Sequence, residues 1–180
     1  MSQSLNVIPQ TETVDTGVTN RESIAEALSD VLADTYRLTF KSHAYHWNVA
    51  GPLFYSVHNL TEEQYEDLFQ AADDLAERIR ALGQLAPMKF ADLVEKSALE
   101  DLDEMPSAGV MIGDLAADHE RVALRLHALI ELASEHNDEV TADLATARSA
   151  FHEKAAWMLR APIADRQTRR RDERAPPRAG

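Results

Sequence analysis

The chain has 180 residues, a net charge of −13 and no cysteine. That length supports one domain with a real core and leaves too little for a second. Without thiols there are neither disulfides nor thiolate metal sites, so metal chemistry would fall to histidine and carboxylate, a donor set that suits hard or borderline ions such as iron.

Apolar residues make up 44% of the chain, Ala, Leu, Glu and Asp dominate, and Gly and Pro are sparse between residues 53 and 160. This composition predicts an all-α fold. Residues 1–18 are polar, show no sustained period and read as a disordered tail. They lack a basic segment followed by an apolar run, and no stretch reaches the length of a membrane span, so a cytoplasmic protein without a membrane partner is expected.

The domain proper is expected over residues 19–163. Thr19 with Glu22 fits a capping box, and Ile24, Leu28, Val31, Thr35, Leu38 and Ser42 repeat at three-and-four spacing until Gly51-Pro52 ends the first helix. A second helix over about 55–83 carries Tyr65, Leu68, Ala72, Leu75, Ile79 and Leu82 on one stripe and stops at Gly83. "ADLVEKS" forms two turns inside the linker that follows. Pro106 opens a third long helix with Ile112, Ala116, His119, Ala123, Leu126, Ile130 and Ala133 inward. A fourth starts near Asn137 or Asp138, turns Val140, Leu144, Ala147, Phe151, Ala155 and Met158 inward, and ends before Pro162. Four such helices close into an antiparallel bundle about 40 Å long. The linker around "GQLAPMKFADLVEKSALEDLDEM" is too long for a hairpin. It can run the length of the bundle, making the second and third long helices parallel in a ferritin-like four-helix bundle with one long crossover.

His58, Glu62, Phe69, Asp73 and Glu77 share a strip of the second helix beside its apolar stripe. His58 with Glu62, and Asp73 with Glu77, are i, i+4 pairs, the spacing that aims two ligands at one ion. Glu62 and Asp73 are eleven residues apart, about 16 Å along the axis, so one ion cannot take both pairs of one helix. Both outer and inner members are symmetric about a point between positions 67 and 68. A two-fold axis there would set Glu62 against Asp73 of a second copy and His58 against Glu77 of that copy, making two equivalent sites about 22 Å apart. His46, at the end of the first helix, can supply a third ligand beside His58. Taken singly, each acid reads more readily as a solvated face than as a ligand, and His58 as an ordinary surface or core histidine.

Residues 164–180 form an Arg-rich tail with Arg166, Arg169, Arg170, Arg171, Arg174 and Arg178, attached to a strongly acidic body. It has two readings, a flexible solubilising segment or a contact to DNA phosphates, the latter implying nucleoid association. Glu139 and Asp143, another i, i+4 pair at the start of the last helix, can complement the helix N-terminus. His119 reads as a core histidine bonded to a neighbour, while His127, His136 and His152 have no partner spacing.

The run "HAYHWNVAGPLFYSVHNLTEEQYEDLFQAADDLAERIRALG", with "FHEKAAWMLRA" near the end, resembles the Dps family of ferritin-like mini-ferritins over roughly residues 20–162. The resemblance implies a hollow dodecamer that binds and stores iron and protects DNA from oxidative damage. Its ferroxidase centres, at two-fold interfaces, oxidise Fe²⁺ preferentially with hydrogen peroxide. It maps the family's ligands onto His46 and His58 of one chain and Asp73 and Glu77 of the other. The remaining acid, usually Asp, is Glu62 here, with an arm one methylene longer. Trp47 falls where the family has an aromatic beside the centre, either intercepting radicals or simply packing. Pores on three-fold axes would correspond to Glu139 and Asp143. An in-bundle di-iron site is disfavoured, since the chain has no Glu-x-x-His. The competing reading is an architectural DNA-binding shell with an inert metal site.

Overall fold

The computed structural model describes residues 7–12 and 14–163. The described residues contain helices and no strands: α1 (Arg21–Asn48), α2 (Phe54–Ala81), α3 (Phe90–Lys96), α4 (Ala108–Glu135) and α5 (Glu139–Arg160), with a 3-10 turn at Ala161–Ile163. The Arg-rich tail and its six arginines lie outside the described residues.

Short turns make α1/α2 and α4/α5 antiparallel hairpins. Tyr45 reaches Asp114, Lys41 reaches Asp118 and Arg125 reaches Asp34. Because the partner number falls as the α1 number rises, α1 and α4 are antiparallel, and α2 and α4 therefore parallel. Residues 82–107 are the crossover. It is pinned along α1 by polar contacts rather than by apolar packing alone: Asp34 Oδ1 accepts from Ser97 Oγ (2.8 Å) and Ala98 N (2.7 Å), and the Lys41 ammonium donates to the Glu100 carbonyl (2.6 Å). Lys41 is buried, but Asp114, Asp118 and that carbonyl take its donors, so the charge is paired on every side.

The stripes read from the sequence in α1, α2 and α4 face the core, where Leu28, Leu38, Leu68, Leu75, Ile79, Ile112, Leu115 and Leu126 are fully buried. Full burial of each such side chain is worth about 1.5–3 kcal/mol. Three details differ from expectation. The capping box does not form: Asn20, in the left-handed region at φ 48°, precedes α1 without a side-chain cap bond, and Thr19 instead bonds His136 of the α4 end through both backbone and hydroxyl. α1 ends at Asn48 because Val49 turns extended to bury its side chain. The core face of α5 follows the expected stripe only in part: Ala155 is buried and Leu144 and Phe151 pack against the core, but Val140 and Ala147 are exposed, and Thr141, Ala142, Ala145, Ser149, His152, Ala156 and Leu159 are buried beside them. Several of these positions are polar with partners elsewhere, so apolar periodicity misplaced part of the face.

Candidate metal centre

His46 on the last turn of α1 and His58 on the first turns of α2 face each other across the Gly51-Pro52 corner, their rings stacked with centroids 3.7 Å apart. Gly51 sits at φ 91°, a conformation that favours glycine and lets the chain reverse here. His46 Nδ1 lies 2.8 Å from the His58 carbonyl, and His58 Nδ1 lies 3.0 Å from the His46 carbonyl. A carbonyl only accepts, so both Nδ1 atoms carry the proton. In the neutral ring each Nε2 is then the lone pair, held in a fixed orientation, the arrangement a metal-ligating imidazole needs.

Glu62 follows on α2, half-exposed; Asp73 and Glu77 are exposed further along the same helix. Among the described residues no group of three or more His, Cys, Asp or Glu converges within one chain. His46, His58 and the adjacent Glu62 stand at one end of the strip, and Asp73 and Glu77 at the other. Between them Phe69 is 65% exposed, and Phe40 and Phe90 are comparably bare.

An aromatic stack extends from the histidine pair. Tyr65 meets the edge of His46 at 5.3 Å, His43 stacks on Tyr65 at 4.2 Å, and Trp47 lies against His43 at 4.0 Å with 58% of its surface exposed. Desolvation, with Glu62 and Glu66 nearby, raises the Tyr65 phenol above its usual pKa. Sequence reading singled out neither His43 nor Tyr65 for the site; the i, i+3 spacing of His43 and His46 was the available signal. Trp47 rests on His43 and is not a core residue.

Glu139 and Asp143 are both exposed on α5. The N-cap role falls to the neighbouring Asp138, buried, which accepts from Thr141 N (2.9 Å) and pairs with Arg78 of α2. His119 is buried as expected, and its partner is His152, with Nδ1 atoms 2.9 Å apart. His152 thus has a partner that sequence spacing did not reveal. His127 bonds Glu153, and His136 bonds Thr19 and Asn20. These partners lie on other helices or beyond the bundle, where spacing along one helix carries no signal.

A ferritin-like domain family matches residues 25–167. DNA protection during starvation protein 2 of Bacillus anthracis is 33% identical over 140 residues, 78% of this chain and 96% of that protein. The crystal structure of a Dps protein from Bacillus brevis superimposes with a TM-score of 0.77 at 31% identity, covering 79% of this chain and 96% of that one. A Dps protein from Vibrio cholerae O1, described as a member of the ferritin-like diiron-carboxylate superfamily, gives a TM-score of 0.78 at 27% identity over 87% of this chain and 99% of that one.

Proposed function

The chain belongs to the Dps family of ferritin-like proteins, and from that premise we propose that it oxidises Fe²⁺ with hydrogen peroxide and stores the ferric product, protecting DNA by removing both reactants. The observation that carries this reading is the reciprocal His46–His58 clasp, which leaves two Nε2 atoms free of those hydrogen bonds beside Glu62. Two nitrogens and carboxylate oxygens suit iron, and the carboxylates stabilise Fe³⁺ over Fe²⁺, favouring electron loss.

The strip on α2 supports an active centre shared between two copies. His46, His58 and Glu62 of one chain would meet Asp73 and Glu77 of a second copy when the strip is laid against itself in reverse. Exposed Phe69, at the middle of that strip, is the kind of apolar surface such a contact covers. Dimers of this kind would build a dodecameric shell. Fe²⁺ and peroxide would react in a two-electron step, in which two ferrous ions each give one electron and hydrogen peroxide takes both, with two protons from solvent, to become two waters, so that no hydroxyl radical is released. Iron would enter past Glu139 and Asp143.

The test is to mix the apo shell anaerobically with Fe²⁺ and peroxide and follow ferric absorbance. Fast turnover at about two Fe²⁺ per peroxide upholds the reading, a ratio that follows from using the metal as a one-electron donor; no turnover leaves an inert site. The competing architectural reading rests on the six arginines of residues 164–180. Several tails on one particle would bind DNA by avidity and release it in salt. Undiminished DNA binding after removal of residues 165–180 would take the tail out of the account.

A further inference from the structure

Each of the four long helices contributes one polar side chain to the same level of the bundle core, and each of these has a buried polar atom without a protein partner. They are Ser42 Oγ on α1, both amide atoms of Gln64 on α2, His119 Nε2 on α4 and Arg148 Nη2 on α5. Surrounding contacts fix the level. Lys41 joins Asp118 between α1 and α4, His43 stacks on Tyr65 between α1 and α2, Arg148 Nη1 donates to Asp67 at 2.7 Å between α5 and α2, and His119 meets His152 between α4 and α5. Ser42 and His119 have no exposed surface and Gln64 keeps only 3%. Gln64 shares α2 with the metal strip but faces the opposite way, into the core.

Buried polar atoms in native proteins are paired with protein or with ordered water. We propose that Ser42, Gln64, His119 and Arg148 enclose an internal hydration site, one or more ordered water molecules held inside each bundle. The donor set selects the ligand. A cation would face the Arg148 guanidinium and no unpaired carboxylate, because the buried Asp118 is already held by Lys41 and Arg121 and Asp67 sits at the rim, 43% exposed. Burial and Arg148 also keep both imidazoles neutral. An anion could accept from Ser42, Gln64 Nε2 and Arg148 but has no proton to give to Gln64 Oε1 or, in the tautomer that leaves it bare, to His119 Nε2. Water gives and takes hydrogen bonds and carries no charge into the core.

The test is a crystal structure of the full-length wild-type shell, at a resolution that shows ordered water, from crystals grown in bromide and, separately, soaked in Co²⁺. The expected result is density without anomalous signal within about 2.7–3.2 Å of Gln64 and His119 Nε2. A bromide peak in the layer would make it an anion site, and a cobalt peak between His119 and His152 a metal site. Gln64 bonded directly to His119 with nothing between would make the layer dry. Each of these three results overturns the proposal. None of them bears on iron oxidation at the α2 strip, which the kinetic assay decides separately.

Discussion

His46 and His58 hold each other through reciprocal Nδ1-to-carbonyl hydrogen bonds of 2.8 and 3.0 Å, so that one contact across a turn fixes the tautomer of both rings. The corner at Gly51 thereby does chemical as well as topological work, since its register decides which two nitrogens remain free. If those nitrogens and the far end of the strip form one centre, His58→Ala with Asp73→Ala should leave the assembled particle intact by light scattering and slow iron oxidation by at least about tenfold. Complementation is sharper. Shells co-assembled from the two single variants should regain about a quarter of the wild-type sites, because a random pairing puts the intact halves together at that frequency when ligands come from two chains. No recovery would mean that the ligands do not come from two chains.

Trp47 is tied to the histidine pair through His43 and Tyr65, with ring separations of 4.0, 4.2 and 5.3 Å. Such a run of aromatic rings leads from the proposed ligand His46 to the exposed Trp47. Trp47→Leu should leave the initial ferric absorbance rate unchanged while raising the yield of hydroxyl adducts in a spin-trap assay. An unchanged adduct yield would return Trp47 to a packing role.

Glu139 and Asp143 project from the first turns of α5 into solvent, while the buried Asp138 caps the helix. Because the cap is separate, Glu139→Lys with Asp143→Lys should cost the helix no more than about 1 kcal/mol per position. If the pair lines the iron entrance, reversing its charge should slow uptake by about tenfold or more, with a strong salt dependence. Normal uptake in a folded double variant would exclude this route.

The parallel pairing of α2 and α4 was legible because length and periodicity speak plainly: four long stripes and a linker too long for a hairpin leave few arrangements. The common face of His58, Glu62, Asp73 and Glu77 was legible for a related reason, since they sit on one helix where spacing is geometry. What stayed hidden depends on pairs between helices. Thr19 looked like a cap and instead fastens the start of α1 to His136. The α5 stripe was partly misplaced because Thr141, Ser149 and His152 are buried polar residues that an apolar period passes over, and the partner of His152, His119 of α4, has no signature along the chain. The dimer itself remains a reading of symmetry in the sequence.

Asp138 joins two hairpins at one carboxylate: Oδ1 accepts from Arg78 of α2 and from the Thr141 backbone, and Oδ2 from the Thr141 hydroxyl at 2.6 Å. Asp138→Ala would strand a largely buried guanidinium and uncap α5, a loss of about 3–5 kcal/mol. Asp138→Asn keeps the acceptor at the cap and loses only the charge, so it should fall between the variant and wild type in urea unfolding. Equal stability of all three proteins would show that the pairing contributes nothing.

The buried His119–His152 pair gives stability a pH dependence with a definite sign. Burial, aided by the Arg148 guanidinium, pushes His119 down to about 3 from an ordinary value of 6.5. His152 also lies well below its ordinary value, through burial and then His119 and Arg148. In the unfolded chain both rings take up protons near pH 6.5, whereas the folded core refuses them until the solution is far more acidic. Between those limits the unfolded state binds more protons, so the contribution is complete above 6.5 and is lost as the pH falls toward 3. The loss is at most about 1.4 kcal/mol per pH unit for each histidine. Replacing both, as His119→Leu with His152→Phe, removes the titrating groups while the carboxylates elsewhere titrate as before. The variant's melting temperature should therefore fall less steeply than wild type between about pH 6.5 and 4. Parallel slopes would mean that the pair is already protonated in the folded chain, and that the core is wetter than its geometry indicates.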